Sequence, residues 1–435
     1  MKAFLSLLAG RKGNPHALRA SHAKKSTTML VFVLGLFLVL AFPSWRTIYR
    51  YSASFKFAAA LLYSLAFCAL FAVVLIFKDK IAGMPILGSP LVSIVPLILI
   101  FLVAAFIYPK ADSLKYVMRG SDQDDAVIVC TQALLNGNSP YSVRTYYGNP
   151  PSPGPGELLL YLPFVHLGLY PFGTLIILFL AALLLRRSCS SWLAPNMFLL
   201  ALSSSLAFWE LVGVGSDLHF VGAIMLISAL LVSNERSKGW FVFCIGSVLC
   251  GFAATARIVF LFVPLVFGFV LLRRSKAKAL AFFLISLFTA LSLHVFFNWI
   301  TPGIYTPMHL LETAVEIFDD RIIMGLSILA CLCVAWIVFH DFTKRNIELT
   351  GALAVTLGAP LFLTALTGLI TRRHGDLASW EGANVLAPAA VLAGAAFAVH
   401  ICKSTGSTSQ FKAETSSNSQ GIDEGSGIPG EGGVA

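Results

Sequence analysis

Residues 90–125 read PLVSIVPLILIFLVAAFIYPKADSLKYVMRGSDQDD, and the way this stretch divides decides the fold. Up to Tyr108 it is almost wholly apolar and has the length of one membrane crossing, for which a helix needs about 20 such residues. Beyond Pro109 it turns polar and closes on Asp122, Asp124 and Asp125, three carboxylates within four positions. The same alternation of apolar run and polar connection fills the chain. Further apolar runs lie near 28–43, 57–77, 157–185, 195–212, 217–233, 240–256, 258–272, 279–298, 322–340, 350–370 and 383–401. The sequence therefore predicts an all-α fold, a polytopic integral membrane helical bundle of about 12 transmembrane helices. A mean hydropathy of +0.82 excludes an ordinary soluble domain. Gly168, Pro171 and Gly173 interrupt the run 157–185, so a broken or re-entrant helix is expected there.

Charge orders the connections. Lys2, Arg11, Lys12, Arg19, Lys24 and Lys25 make residues 1–27 a basic cytoplasmic N-terminus. It does not read as a cleaved signal peptide, because its short apolar patch precedes the basic residues. Lys78 and Lys80, Arg186 and Arg187, Arg236 and Lys238, Arg273 to Lys278, and Lys344 and Arg345 fall on the same side. The opposite, outer side holds the loop 109–156, the turn 213–217, the junction at Arg257, the segment 299–321 and the loop 371–382. Arg46, Arg50 and Lys56 also fall there, against the rule. The membrane domain spans 28–401, and 402–435, rich in Ser, Gly and Thr, reads as a disordered cytoplasmic tail. The net charge of +10 is largely this cytoplasmic bias. With no basic face of interleaved aromatics, no nucleic-acid partner is expected. Cys68, Cys244, Cys250, Cys331 and Cys333 lie in apolar runs and read as small apolar residues.

Within the outer loop, Ser121 has the short hydroxyl of a helix cap, and Ala126, Val129, Cys130, Ala133 and Leu134 follow at helical spacing. Asn136-Gly137 ends that helix, 122–135, which is too short to cross and is expected to be interfacial. Two readings of its acids stand side by side. Ser121 with Asp124 resembles a capping box, and first-turn acids complement the helix dipole by about 0.3–1 kcal/mol each. Clustered like charges beside a bilayer also push a carboxyl pKa upward, as a general base requires. Asp122 and Asp124, flanking one residue, can hold a divalent cation, Mn or Mg, through oxygen. Downstream, Gly137-Asn138-Ser139-Pro140-Tyr141, Tyr146-Tyr147 and the Pro/Gly run 150–156 make a stiff, aromatic connection.

Asp-x-Asp, a short helix, Gly-x-Ser-Pro-Tyr and a Tyr- and Pro-rich approach to the next span resemble the GT-C superfamily of integral membrane glycosyltransferases. The resemblance covers residues 121–165 and is strongest to the polyprenyl-phosphate-sugar-dependent mannosyltransferases. It implies transfer of mannose or a similar sugar from a lipid-linked donor to a glycan or glycolipid acceptor at the non-cytoplasmic face, with inversion. Asp122 and Asp124 match the family's acidic pair, Asp125 joins them as a catalytic candidate, and Gly137, Ser139, Pro140 and Tyr141 match the motif that follows. Two departures stand out. The family reaches this loop after one span and this chain after three, so 28–77 reads as an added N-terminal hairpin. Where the family shows Tyr-x-Pro, this chain has Gly148-Asn149-Pro150-Pro151 and further Pro and Gly. A bacterial cytoplasmic membrane is the expected location, with the ER membrane as the alternative.

A lipid-phosphate leaving group needs cations, and the outer set offers Arg257, Arg372, Arg373 and His374. Arg257 interrupts apolar sequence, at a cost of about 2.5–3.5 kcal/mol on insertion scales, and is as much a functional candidate as a snorkelling side chain. Arg372 and Arg373 read first as a helix end facing headgroups. Asp217 reads first as a helix cap and His219 as a structural histidine, whereas Glu210 lies nearer the interior of its span. Tyr141, Arg144 and Trp380 complete the expected substrate-binding set. Segment 302–320 reads as an amphipathic surface helix. The rival readings are a multi-pass transporter or lipid flippase, and a non-catalytic scaffold whose acids only cap a helix.

Overall fold

The computed structural model describes residues 32–52, 54–117, 120–233, 239–272, 275–301, 304–307 and 349–420. Every regular element among them is a helix. The first crossing is a bent pair, α1 (Phe32–Ala41) and α2 (Ser44–Tyr51), joined at 42° through Pro43. α3 (Lys56–Ile76) turns leucines outward while Phe67 and Phe71 stack inward at 4.4 Å. α4 (Leu91–Val117) carries the quoted apolar run and continues unbroken into the polar residues beyond Tyr108. The short loop helix is α5 (Gln123–Leu135), and it packs against α6 (Pro155–His166). The expected break in 157–185 falls between α6 and α7 (Tyr170–Cys189), where Gly168 takes φ +68°, a conformation open to glycine.

α8 (Leu193–Ser203) and α9 (Leu206–Gly213) form a second bent pair, folded by 81°. α10 (Leu218–Ser233) is buried along nearly its whole length, enclosed by α7, by α11 (Trp240–Thr255) and by the last helix of the bundle, Ala387–Gln420. α12 (Val263–Leu271), α13 (Lys276–Ile300), α14 (Leu349–Arg373) and α15 (Ala387–Gln420) complete the bundle.

Six of the described helices are long and apolar enough to cross a membrane, or up to eight when each bent pair is one crossing. The chain is thus a helical membrane protein, with fewer full-length crossings among the described residues than the twelve apolar runs suggest. The reason is visible in α10 and α11. Each has 16 residues, about 24 Å of helix against a hydrocarbon core of about 30 Å. α10 is apolar because protein encloses it, and hydropathy does not separate that case from a lipid-facing crossing.

The basic N-terminus, the connections at 236–238, 273–274 and 344–345, the segment 308–320 and the apolar run 322–340 with Cys331 and Cys333 lie outside the described residues. The tail expected to lack structure from 402 begins as a continuation of α15, which runs to Gln420. Residues 404–420 hold no proline, so the sequence gives the helix no enforced stop.

Candidate functional site

The loop acids do not cap α5. Asp122 occupies the N-cap position without bonding a first-turn amide, and the Gln123 N–H instead donates to Ser121 Oγ at 3.3 Å. Each acid has a partner of its own. Asp122 Oδ2 accepts from the Thr145 hydroxyl and from Asn149 Nδ2 at 3.1 Å, which ties the start of α5 to the turn 145–149. Its second oxygen makes no hydrogen bond among the described residues and is not one of the buried unpartnered atoms. Asp124 is almost completely buried and accepts the Tyr108 hydroxyl at 2.6 Å on Oδ2, while its Oδ1 is buried without a partner. Asp125 accepts from Lys115 Nζ at 2.6 Å and from the Tyr146 N–H at 3.2 Å. Lys115 reaches Asp112 at 2.6 Å as well. Burial, reinforced by the negative charge of Asp112 and Asp125, pushes the Asp124 carboxyl up to about 7, against the pull of the Tyr108 hydroxyl and Lys115.

Asp122 and Asp124, expected as a metal pair, are engaged by different partners, Asp122 by Thr145 and Asn149 and Asp124 by Tyr108. Oxygens of Asp112, Asp124 and Asp125 lie within 4.8 Å of one another, and Asp122 is not of that group.

Beside the acids sits the turn 213–217. Gly215, at φ +68°, lies so close that a Cβ there would stand 2.4 Å from the Tyr108 ring and 3.3 Å from Asp124 Cβ. The Tyr170 hydroxyl donates to its carbonyl at 2.7 Å. Two residues on, Asp217 is buried and bonded to Arg257, which also bonds Glu157 on α6. One guanidinium thus holds two enclosed carboxylates. Its surroundings are built by the Pro/Gly run. The Gly154 N–H donates to the Ala256 carbonyl at 3.1 Å and the Gly156 N–H to Thr255 Oγ1 at 2.8 Å.

A third ion cluster explains two of the three basic residues that broke the charge rule, Arg46 and Arg50. Glu210 on α9 takes Arg50 at 2.8 Å and the Thr47 hydroxyl at 2.5 Å, with Arg46 at 3.8 Å. Arg46 also donates to Asn384, and Arg50 to the Ala378 carbonyl at 3.4 Å. Arg46 and Arg50 are therefore partners of an acid buried between helices, and their side of the membrane is not set by free charge.

Four of the segments that the sequence placed on the outer side, the loop 109–156, the turn 213–217, the junction at Arg257 and the described part of 299–321, meet one another. Tyr108 touches Gly215, Gly154 docks on Ala256, Thr306 donates to the Pro151 carbonyl at 2.6 Å, and Tyr141 packs edge-on to Tyr305 at 5.0 Å. Tyr141 is internal, its hydroxyl on the Pro153 carbonyl at 3.3 Å. His219 is buried with its ring against Phe208, 4.8 Å between centroids. Trp380 is buried and its indole N–H donates to the Ala365 carbonyl at 2.7 Å, so packing occupies it fully. Arg372, Arg373 and His374 are exposed where α14 ends. Arg144 is exposed, next in sequence to the Thr145 that holds Asp122.

Sequence reasoning missed Tyr108, Asp112, Lys115 and Glu157. Asp112 and Lys115 stand three apart on one helix end, a pairing legible in retrospect. Glu157 is the acid that opens an otherwise apolar run, as Arg257 is the base that interrupts one. Comparison with protein-family models, with curated proteins and with solved structures finds no match to this chain.

Proposed function

We propose that the chain is a membrane glycosyltransferase of GT-C type, moving mannose or a similar sugar from a polyprenyl-phosphate donor to a glycan or glycolipid acceptor at the non-cytoplasmic face. The observation that carries this reading is the placement of Asp122. Its carboxylate is fixed through one oxygen by Thr145 and Asn149, and the other oxygen has no hydrogen bond among the described residues. It stands where the outer-set segments converge, with the exposed cation Arg144 beside Thr145. Reach is the first requirement of a general base, and Asp122 has it where the enclosed Asp124 does not.

In this mechanism the donor lipid stays in the bilayer and its sugar phosphate enters beside the turn 145–149. Asp122 takes the proton of the acceptor hydroxyl. The hydroxyl oxygen bonds to the anomeric carbon as the carbon–oxygen bond to phosphate breaks, the electron pair leaves with the lipid phosphate, and the configuration inverts. Arg144 steadies the phosphate as charge develops. Arg257 is less suited to that task, since Glu157 and Asp217 already neutralise it.

The test is lipid-linked sugar turnover in membranes. Asp122→Asn, and Asp122→Ala with Asp124→Ala, should insert normally and lose transfer by about 100-fold or more, the usual worth of a positioned base. Unchanged transfer by the double variant would sink the assignment.

One observation favours a transporter as the second reading. Both bent pairs flank one ion cluster, since α2 carries the Arg46 and Arg50 that meet Glu210 on α9, as in carriers that build sites at interrupted helices. That reading predicts movement of substrate across the bilayer with no product formed.

A further inference from the structure

Three acids gather beneath the start of α5, and a cation already stands among them. Oxygens of Asp112, Asp124 and Asp125 lie within 4.8 Å of one another, close enough for one hard divalent ion to bridge them at its usual bond lengths of about 2.0–2.6 Å. Lys115 Nζ lies 2.6 Å from both Asp112 Oδ1 and Asp125 Oδ1. Its side chain is nine-tenths buried, and it comes from the same helix end that supplies Asp112. The third acid, Asp124, is 1% exposed, and its Oδ1 is buried with no hydrogen-bond partner among the described residues. Three carboxylates, one ammonium and one unsatisfied oxygen make a built cation site whose occupant is a side chain.

We propose that Lys115 is the resident cation of this site, its ammonium standing where a divalent ion would otherwise sit. Of the Asp-x-Asp pair only Asp124 belongs to this site, and the chain's own lysine supplies the positive charge there. Lys115 is a positioning residue. By pinning Asp125 it fixes the first turn of α5, and with it Asp122, against the turn 145–149. An enclosed ion cluster that loses one partner is left with uncompensated charge, so removing the ammonium leaves a vacancy that a divalent ion of the right size can fill.

The experiment uses the full-length protein in detergent or liposomes, with Mn2+ as the probe and its free fraction read by electron paramagnetic resonance. Lys115→Ala should bind one Mn2+ at least about tenfold more tightly than wild type, because three oxygen ligands then converge on open space. Asp112→Asn added to Lys115→Ala should lose that gain, which separates this site from adventitious binding. Lys115→Arg should behave as wild type. Wild type binding Mn2+ as tightly as Lys115→Ala would overturn the proposal. So would a gain that Asp112→Asn leaves untouched. If Lys115→Ala does not fold, Lys115→Gln, with a similar stem and no charge, takes its place.

An activity arm rests on the transferase reading above. Sugar transfer by wild type should survive chelator within about twofold, since no divalent ion carries its electrostatics. Transfer lost to chelator and restored by Mn2+ would overturn the proposal while leaving the transferase reading intact. Absence of any transfer would defeat the transferase reading, and the Mn2+ comparison would still decide the role of Lys115.

Discussion

The fold opposes the ionisation of Asp124. It is enclosed beside Asp112 and Asp125, and its carboxyl rises from an ordinary value of 3.8 to about 7. A carboxyl with a raised folded pKa holds its proton more tightly folded than unfolded. Its contribution to stability is therefore full below about pH 4 and is lost as pH rises through about 7, each tenfold difference in proton affinity being worth about 1.4 kcal/mol. Thermal unfolding in detergent should show wild type losing stability across that window relative to Asp124→Asn, which has no such proton to lose. Equal pH dependence of the two proteins would show that Asp124 is an ordinary ionised acid. The acids themselves were plain in the sequence. Their division of labour was not, because it depends on Tyr108, Lys115, Thr145 and Asn149 arriving from other elements.

The Pro/Gly run before α6 gains its meaning as an element. As sequence it departs from the pattern the loop otherwise resembles, and reads as a stiff connection. In the structure it is a docking strip that brings Glu157 to Arg257. A Cβ on Gly154 would lie 1.6 Å from the Thr255 carbonyl oxygen, and one on Gly156 would lie 2.7 Å from the Phe252 backbone. Neither neighbour is a flexible side-chain end, so backbone must move. Gly154→Ala should cost more than the about 1–3 kcal/mol of ordinary overpacking, and should lower both the yield of monodisperse protein and its melting temperature. Gly88→Ala, which meets nothing within 4 Å, is the matched control and should change neither. Equal behaviour of the two variants would mean that the strip does not dock as described. Helix α5 shows the complementary case. Its ends were legible to within a residue because Asn136-Gly137 and Ser121 act locally. Its packing against α6 was not, since an isolated acidic amphipathic segment looks the same on a membrane surface as against a helix.

At the scale of the whole molecule, composition and apolar runs were enough for a helical membrane protein, and the alternation of charge was enough to group the connections that meet at one end of the bundle. The number of crossings was beyond their reach, because enclosure by protein and immersion in lipid select the same residues, as α10 shows. Arg46 and Arg50 broke the charge rule for a reason the sequence holds only as Glu210, some 160 residues away. The central claim is that the converging segments form a site for sugar transfer and not a passage across the bilayer. It is tested most directly with purified protein in liposomes that contain a polyprenyl-phosphate-mannose donor and a glycolipid acceptor, following both product and position of the labelled sugar. The account predicts mannosylated acceptor and free polyprenyl phosphate from wild type, and neither from Asp122→Asn. Donor that crosses the bilayer chemically unchanged, or equal turnover by Asp122→Asn, would contradict it.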